Sequence, residues 1–115
     1  SLMMAKHSVD QQNYQQALEY LLPLWSSETS YVEHVSRIRS AIIYLHLNDY
    51  KKAISALETN NEGTFEGIYS STRGDIYFGK GELVLAKENY QKALNEISAD
   101  SDLINLIKVK LNDLN

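Results

Sequence analysis

Residues 74–93 read Gly74-Asp75-Ile76-Tyr77-Phe78-Gly79-Lys80-Gly81-Glu82-Leu83-Val84-Leu85-Ala86-Lys87-Glu88-Asn89-Tyr90-Gln91-Lys92-Ala93. Small residues at Gly74, Ala86 and Ala93 and rings at Tyr77 and Tyr90 recur at helical spacing on either side of Gly79-Lys80-Gly81. Small side chains let two helices approach closely, and large ones would push them apart. The glycines between them supply a flexible C-terminal cap for the first helix. The stretch predicts a helix–turn–helix.

Shorter copies lie upstream. Tyr14-x-x-Ala17-Leu18 and Tyr50-x-x-Ala53-Ile54 match Leu83-x-x-Ala86, with the alanines 36 and then 33 residues apart. A period near 34 residues is the tetratricopeptide pattern. The positions of Gly74, Tyr77 and Ala86 fall on Ala41, Tyr44 and Ala53 in the second unit. In the first they fall on Ala5, Ser8 and Ala17, a weaker match of the kind terminal repeats show. One such unit cannot bury its apolar faces alone and must stack on its neighbours. The expected fold is a single all-α domain, a tetratricopeptide-like right-handed superhelix of three helix pairs. The repeats run over 1–29, 30–63 and 64–98, with a capping helix over 100–114. Gly74, Ala53, Ala86 and Ala93 are expected to be buried at helix contacts.

Apolar residues recur at three- and four-residue steps almost throughout and predict helices over 2–11, 14–26, 31–47, 50–59, 65–79, 83–97 and 101–113. Ser30 with Glu33 reads as a capping box. Asn48-Asp49 and Asn60-Asn61-Glu62-Gly63 read as turns, and Asp100-Ser101 as the cap of the last helix. Pro23 is expected to kink or end the second helix. Leu103, Ile104, Ile107, Leu111 and Leu114 line one side of the last helix, which suits a cover for the open end of the stack.

Composition narrows the function. The 115 residues suffice for one core, and 43% apolar with 23% charged residues is ordinary for a globular domain. Net charge is −4 and the eleven Lys and Arg are dispersed, which argues against nucleic acid. Cysteine is absent, which excludes thiol catalysis, disulfides and thiolate metal sites. No apolar run is long enough to span a membrane. Ser1-Leu2-Met3-Met4 carries no targeting signal, and the chain is expected to be a fragment of something longer.

Nothing in the pattern points to catalysis, to a metal or to a cofactor. His7, His34 and His46 are 27 and 12 residues apart, without the one-face spacing a zinc site needs. They read as isolated surface or partly packed histidines. Glu62 and Glu66 share a face, and Asp100 and Asp102 flank a helix start where the dipole favours negative charge. Arg73-Gly74-Asp75 lies mid-helix, with Gly74 explained by packing. Gly79-Lys80-Gly81 lacks phosphate-loop spacing, and there is no G-x-S-x-G elbow. Of the eight tyrosines, Tyr14, Tyr44, Tyr50, Tyr77 and Tyr90 fall at repeat-packing positions, leaving Tyr20, Tyr31 and Tyr69 freer.

The first helix of each pair lines the concave face of such an array. The alignment places Val35, Ile38, Arg39, Ile42, Leu45 and His46 there from the second unit. The third contributes Ile68, Ser71, Asp75 and Phe78, and the first Lys6, Val9 and Asp10. That lining is more apolar than a solvated face. It suits a groove for an apolar peptide or partner helix, with Ile38, Ile42 and Phe78 as anchors, or a face covered by preceding helices or by a homodimer partner. A carboxylate clamp needs Lys, Asn and Arg at set positions, and these carry Leu2, Lys6, Arg39, Ile68 and Thr72. The clamp is not assembled.

From Ala41 onward the chain resembles the YfgM family of bacterial tetratricopeptide-like proteins. The resemblance is carried by Ala53-Ile54-x-x-Leu57, Arg73-Gly74-Asp75, Lys80-Gly81-Glu82, Ala86-Lys87 and the tail Lys108-Val109-Lys110-Leu111-Asn112-Asp113-Leu114. Asn13-Tyr14-x-x-Ala17 extends it toward the N-terminus. It implies a periplasmic domain held in the inner membrane by one N-terminal helix. It also implies association with the SecYEG translocon, the chaperone PpiD and exported client polypeptides, and no catalytic residues. Read from the residues alone, a cytosolic adaptor or an oligomerisation or regulatory domain of a larger protein remains the alternative.

Overall fold

The repeat is visible in the two turns that end its first helices. Helix α1 spans Leu2–Leu21, α2 Ser30–His46, α3 Tyr50–Ala56, α4 Glu66–Lys80, α5 Leu83–Glu96 and α6 Asp102–Leu114. The computed structural model describes the backbone of residues 2–114 and the side chains of residues 11–114. At the end of α4, Gly81 takes φ 86°, its N–H donates to Phe78 O, and Glu82 N–H donates to Tyr77 O at 2.9 Å. At the end of α2, Asn48 takes φ 59°, its N–H donates to Leu45 O, and Asp49 N–H donates to Tyr44 O at 2.8 Å. Both are Schellman caps, closed by the two residue types that tolerate the left-handed region best. The two caps lie one repeat apart, so the chain turns twice by the same device.

Each turn feeds a close helix contact. Ala41, Ala53 and Ala86 are fully buried, as is Ala93. A Cβ placed on Gly74 would stand 2.5 Å from Tyr90 Cε1. That is too close for any side chain, so the α4–α5 approach requires the glycine. Ile38, Ala41, Ala53, Ala56, Leu57, Tyr69 and Ile76 form one core between the two pairs. Ala86, Tyr90, Ala93 and Ile107 form a second, where α6 covers α5 with Leu103, Leu111 and Leu114. Ser101 Oγ accepts from Leu103 N–H at 3.2 Å and opens α6, as Asp100-Ser101 predicts.

Among the described residues there are only helices and turns, an all-α repeat stack as expected. The first unit is different. The helices predicted over 2–11 and 14–26 are one continuous helix, α1, followed by a 3₁₀ turn over Leu22–Ser26. Gln11-Gln12-Asn13 contains no glycine or proline to break the helix. Pro23, which cannot donate and disfavours helix just before it, ends α1 at Leu21. Two helix pairs therefore stand between α1 and α6, where three were predicted. Ala5, His7 and Ser8 lie outside the described side chains.

Three polar expectations also change. Ser30 is the first helical residue rather than the cap, and no side chain caps α2. Glu33 instead accepts from Arg37 Nε at 2.9 Å and from Thr59 Oγ1 at 3.0 Å. Arg37 also donates to Ala56 O and Glu58 O, satisfying carbonyls freed at the end of α3, and its guanidinium lies over Trp25. Burial pushes the Glu33 carboxyl up, but the bonds from Thr59 and Arg37 outweigh it and hold it below its ordinary value. Tyr69, read as free, is fully buried and pairs its hydroxyl with His34 Nδ1 at 2.8 Å. His34 is buried too, rather than a surface or partly packed histidine. Burial raises the Tyr69 pKa to about 12.

Candidate protein-binding face

The face expected to be concave divides into open and closed positions. On α2, Arg39, Ile42 and His46 are exposed, and Val35 and Leu45 are half-buried. Ile38 is buried in the core between the pairs, so it cannot serve as an exposed anchor. On α4, Ile68 and Phe78 are exposed, Asp75 is half-buried and Ser71 is buried. Ser71 therefore belongs to the packing, not to a contact surface. Thr72, one of the clamp positions, is buried and donates to Ile68 O. Lys6, Val9 and Asp10 lie outside the described side chains.

Three of the exposed positions, Arg39, Ile42 and Phe78, line two separate recesses. Arg39 and Ile42 join Ile43 of α2 and Ala17, Tyr20 and Leu21 of α1 in an open groove of about 410 Å³. Phe78 and Asp75 join Tyr90, Lys110 and Asp113 in a smaller recess of about 150 Å³ between α4, α5 and α6. Ile42 and Phe78, expected to share one space, line different ones.

The chemistry of the two recesses differs. Asp75 accepts from Tyr90 OH at 2.5 Å and from Lys110 Nζ at 2.8 Å. Its charge is matched within the fold, where it ties α4 to α5 and to the covering helix. Burial and the Asp75 carboxylate both push the Tyr90 hydroxyl above its ordinary pKa. Arg39 is the opposite case, with no carboxylate in ion-pair range among the described residues. His46 stacks on Tyr14, ring centroids 5.8 Å apart, and closes one end of the α1–α2 junction.

Ala17, Tyr20 and Leu21 were missed as groove residues. Assigning residues 14–26 to a separate helix hid the face that α1 turns toward α2, although Tyr20 was recognised as a free tyrosine. Among the described residues no three His, Asp or Glu side chains gather as a metal site would require. No described helix is long and apolar enough to cross a membrane.

The tetratricopeptide repeat-like domain family matches residues 1–115. A protein of Neisseria gonorrhoeae named as an ancillary SecYEG translocon subunit is 30% identical over 115 residues, covering 99% of this chain and 55% of the relative. The chain thus spans about half the length of that protein. No solved structure gives a significant match.

Proposed function

The chain belongs to the tetratricopeptide repeat-like domain family and is YfgM-like, and from that premise we propose that it is a protein-interaction scaffold ancillary to the SecYEG translocon. The observation that carries this reading is the open apolar groove between α1 and α2, exposed at Tyr20 and Ile42. A stacked helical repeat exposes such a face to bind other proteins. In this reading the domain lies in the periplasm, held to the inner membrane by a preceding helix, and meets SecYEG, PpiD and exported polypeptides. Its contribution is contact rather than catalysis.

The test is photo-crosslinking against purified SecYEG and PpiD. A benzoylphenylalanine at position 42 or 78 is expected to give adducts with one of them. The same group at Lys92, exposed on α5, is expected to give none. Equal labelling from all three positions, or none from any, would refute the reading.

A further inference from the structure

We propose that the α1–α2 groove takes an amphipathic helix whose apolar face carries a carboxylate that pairs with Arg39; the inference rests on the protein-binding reading above. Arg39 is the one charged residue among those lining the groove, whose walls are otherwise Ala17, Tyr20, Leu21, Ile42 and Ile43. Arg37 is paired with Glu33 and Arg73 with Glu62, so Arg39 is the arginine left without a carboxylate among the described residues. The chain carries net charge −4, and Arg39 places a positive charge within the apolar lining of the groove. A guanidinium there would bind a carboxylate through two parallel hydrogen bonds and set the orientation of whatever fills the groove.

The occupant's backbone follows from the walls. Both are helices whose backbone groups are already paired, so the groove has no strand edge to offer. An extended segment laid there would find no backbone partner on either wall, whereas a helix satisfies its own N–H and C=O groups internally. Apolar anchors spaced three and four residues apart would then meet Tyr20, Leu21 and Ile42.

Two synthetic 16-residue helical peptides test this, each with leucines at i, i+3, i+4 and i+7. They differ at one position beside the leucine stripe, Glu in one and Lys in the other. Binding to the intact protein is read by fluorescence anisotropy and by backbone amide shifts. The Glu peptide is expected to bind roughly tenfold or more tightly than the Lys peptide, as close charge pairs at interfaces require. Arg39→Glu is expected to invert that order, with an unchanged circular dichroism spectrum because Arg39 is exposed. Shifts should centre on Tyr20 and Ile42.

Equal affinities, failure of Arg39→Glu to invert them, no binding, or shifts centred on Phe78 would each overturn the proposal. So would Arg39-dependent binding to phosphatidylglycerol vesicles without charge discrimination between the peptides, which would make the groove a lipid site. Crosslinks from position 42 to SecYEG or PpiD without charge discrimination would sink this inference and leave the scaffold role standing. Discrimination without those crosslinks would do the reverse.

Discussion

The Tyr90 ring occupies the place where a Gly74 side chain would be, with Cε1 2.5 Å and Cδ1 2.6 Å from the position of a Cβ. The ring is held there by its own hydroxyl, which donates to Asp75 one residue further along the same helix. The glycine admits the ring and the neighbouring carboxylate fixes it, so the α4–α5 contact is set by three residues acting together.

Gly74→Ala should therefore destabilise the domain. Helix propensity favours alanine by about 1 kcal/mol, but overpacking a closed contact costs about 1–3 kcal/mol. Urea melts should show a lower midpoint. Combined with Tyr90→Leu, the substitution should cost less than the sum of the two alone, because the shorter side chain vacates the clash. Strict additivity would mean that the ring and the glycine are not in contact.

Ile38 and Ile42 provide a matched pair. Ile38→Asp places a charge in the core and should cost several kcal/mol, on the order of a full unfolding penalty for a small domain. Ile42 is 39% exposed, so Ile42→Asp should shift stability by no more than about 1 kcal/mol. Thermal melts followed by circular dichroism distinguish the two, and equal losses would place Ile42 in the core.

Stability should fall on the alkaline side through Tyr69. Its folded pKa of about 12 lies above the ordinary 10. The preference for the protonated hydroxyl is thus fully present below pH 10 and is lost as pH rises toward 12. Two units correspond to about 2–3 kcal/mol. Tyr69→Phe should cost about 1 kcal/mol near pH 8, where it leaves His34 Nδ1 without its partner. By pH 12 that deficit should vanish or reverse. Denaturation midpoints at pH 8 and 11.5, with tyrosine ionisation followed by ultraviolet absorbance, give the sign directly.

Glu33 acts at the other end of the scale. Its folded pKa lies below 4.5, so its contribution is present above that value and is lost as pH falls through the folded pKa. Glu33→Gln should weaken the tie to Arg37 and Thr59 by about 1 kcal/mol at neutral pH. It should also flatten the acid limb of the stability profile. An unchanged acid limb would show that the Glu33 bonds are not made in solution.

The second and third repeats were legible because their information is local. Asn48 and Gly81 close equivalent caps, and Ala53 and Ala86 seat equivalent contacts, all within a few residues of the turns they serve. Tyr69 was misread because its partner, His34, is 35 residues away and belongs to another repeat. Glu33 with Ser30 satisfies the spacing of a capping box, yet its carboxylate is taken by Arg37 and by Thr59, 26 residues on. The groove was half legible: Arg39 and Ile42 came from repeat alignment, and Tyr20 only from the continuity of α1.

By itself, then, the sequence determined the helices, the turns between them and the small residues at their crossings, since propensity, capping and close approach operate over one or two helical turns. Which residues of an apolar stripe stay open was decided by the tertiary structure. Ile38 and Ile42 lie one turn apart and differ by only about 40° around α2. Ile38 is covered by α3 and α4 while Ile42 looks into the α1 groove. Burial at one turn of a helix depends on which other helices reach that turn, and that is a property of the packed stack rather than of the strip of sequence that forms it.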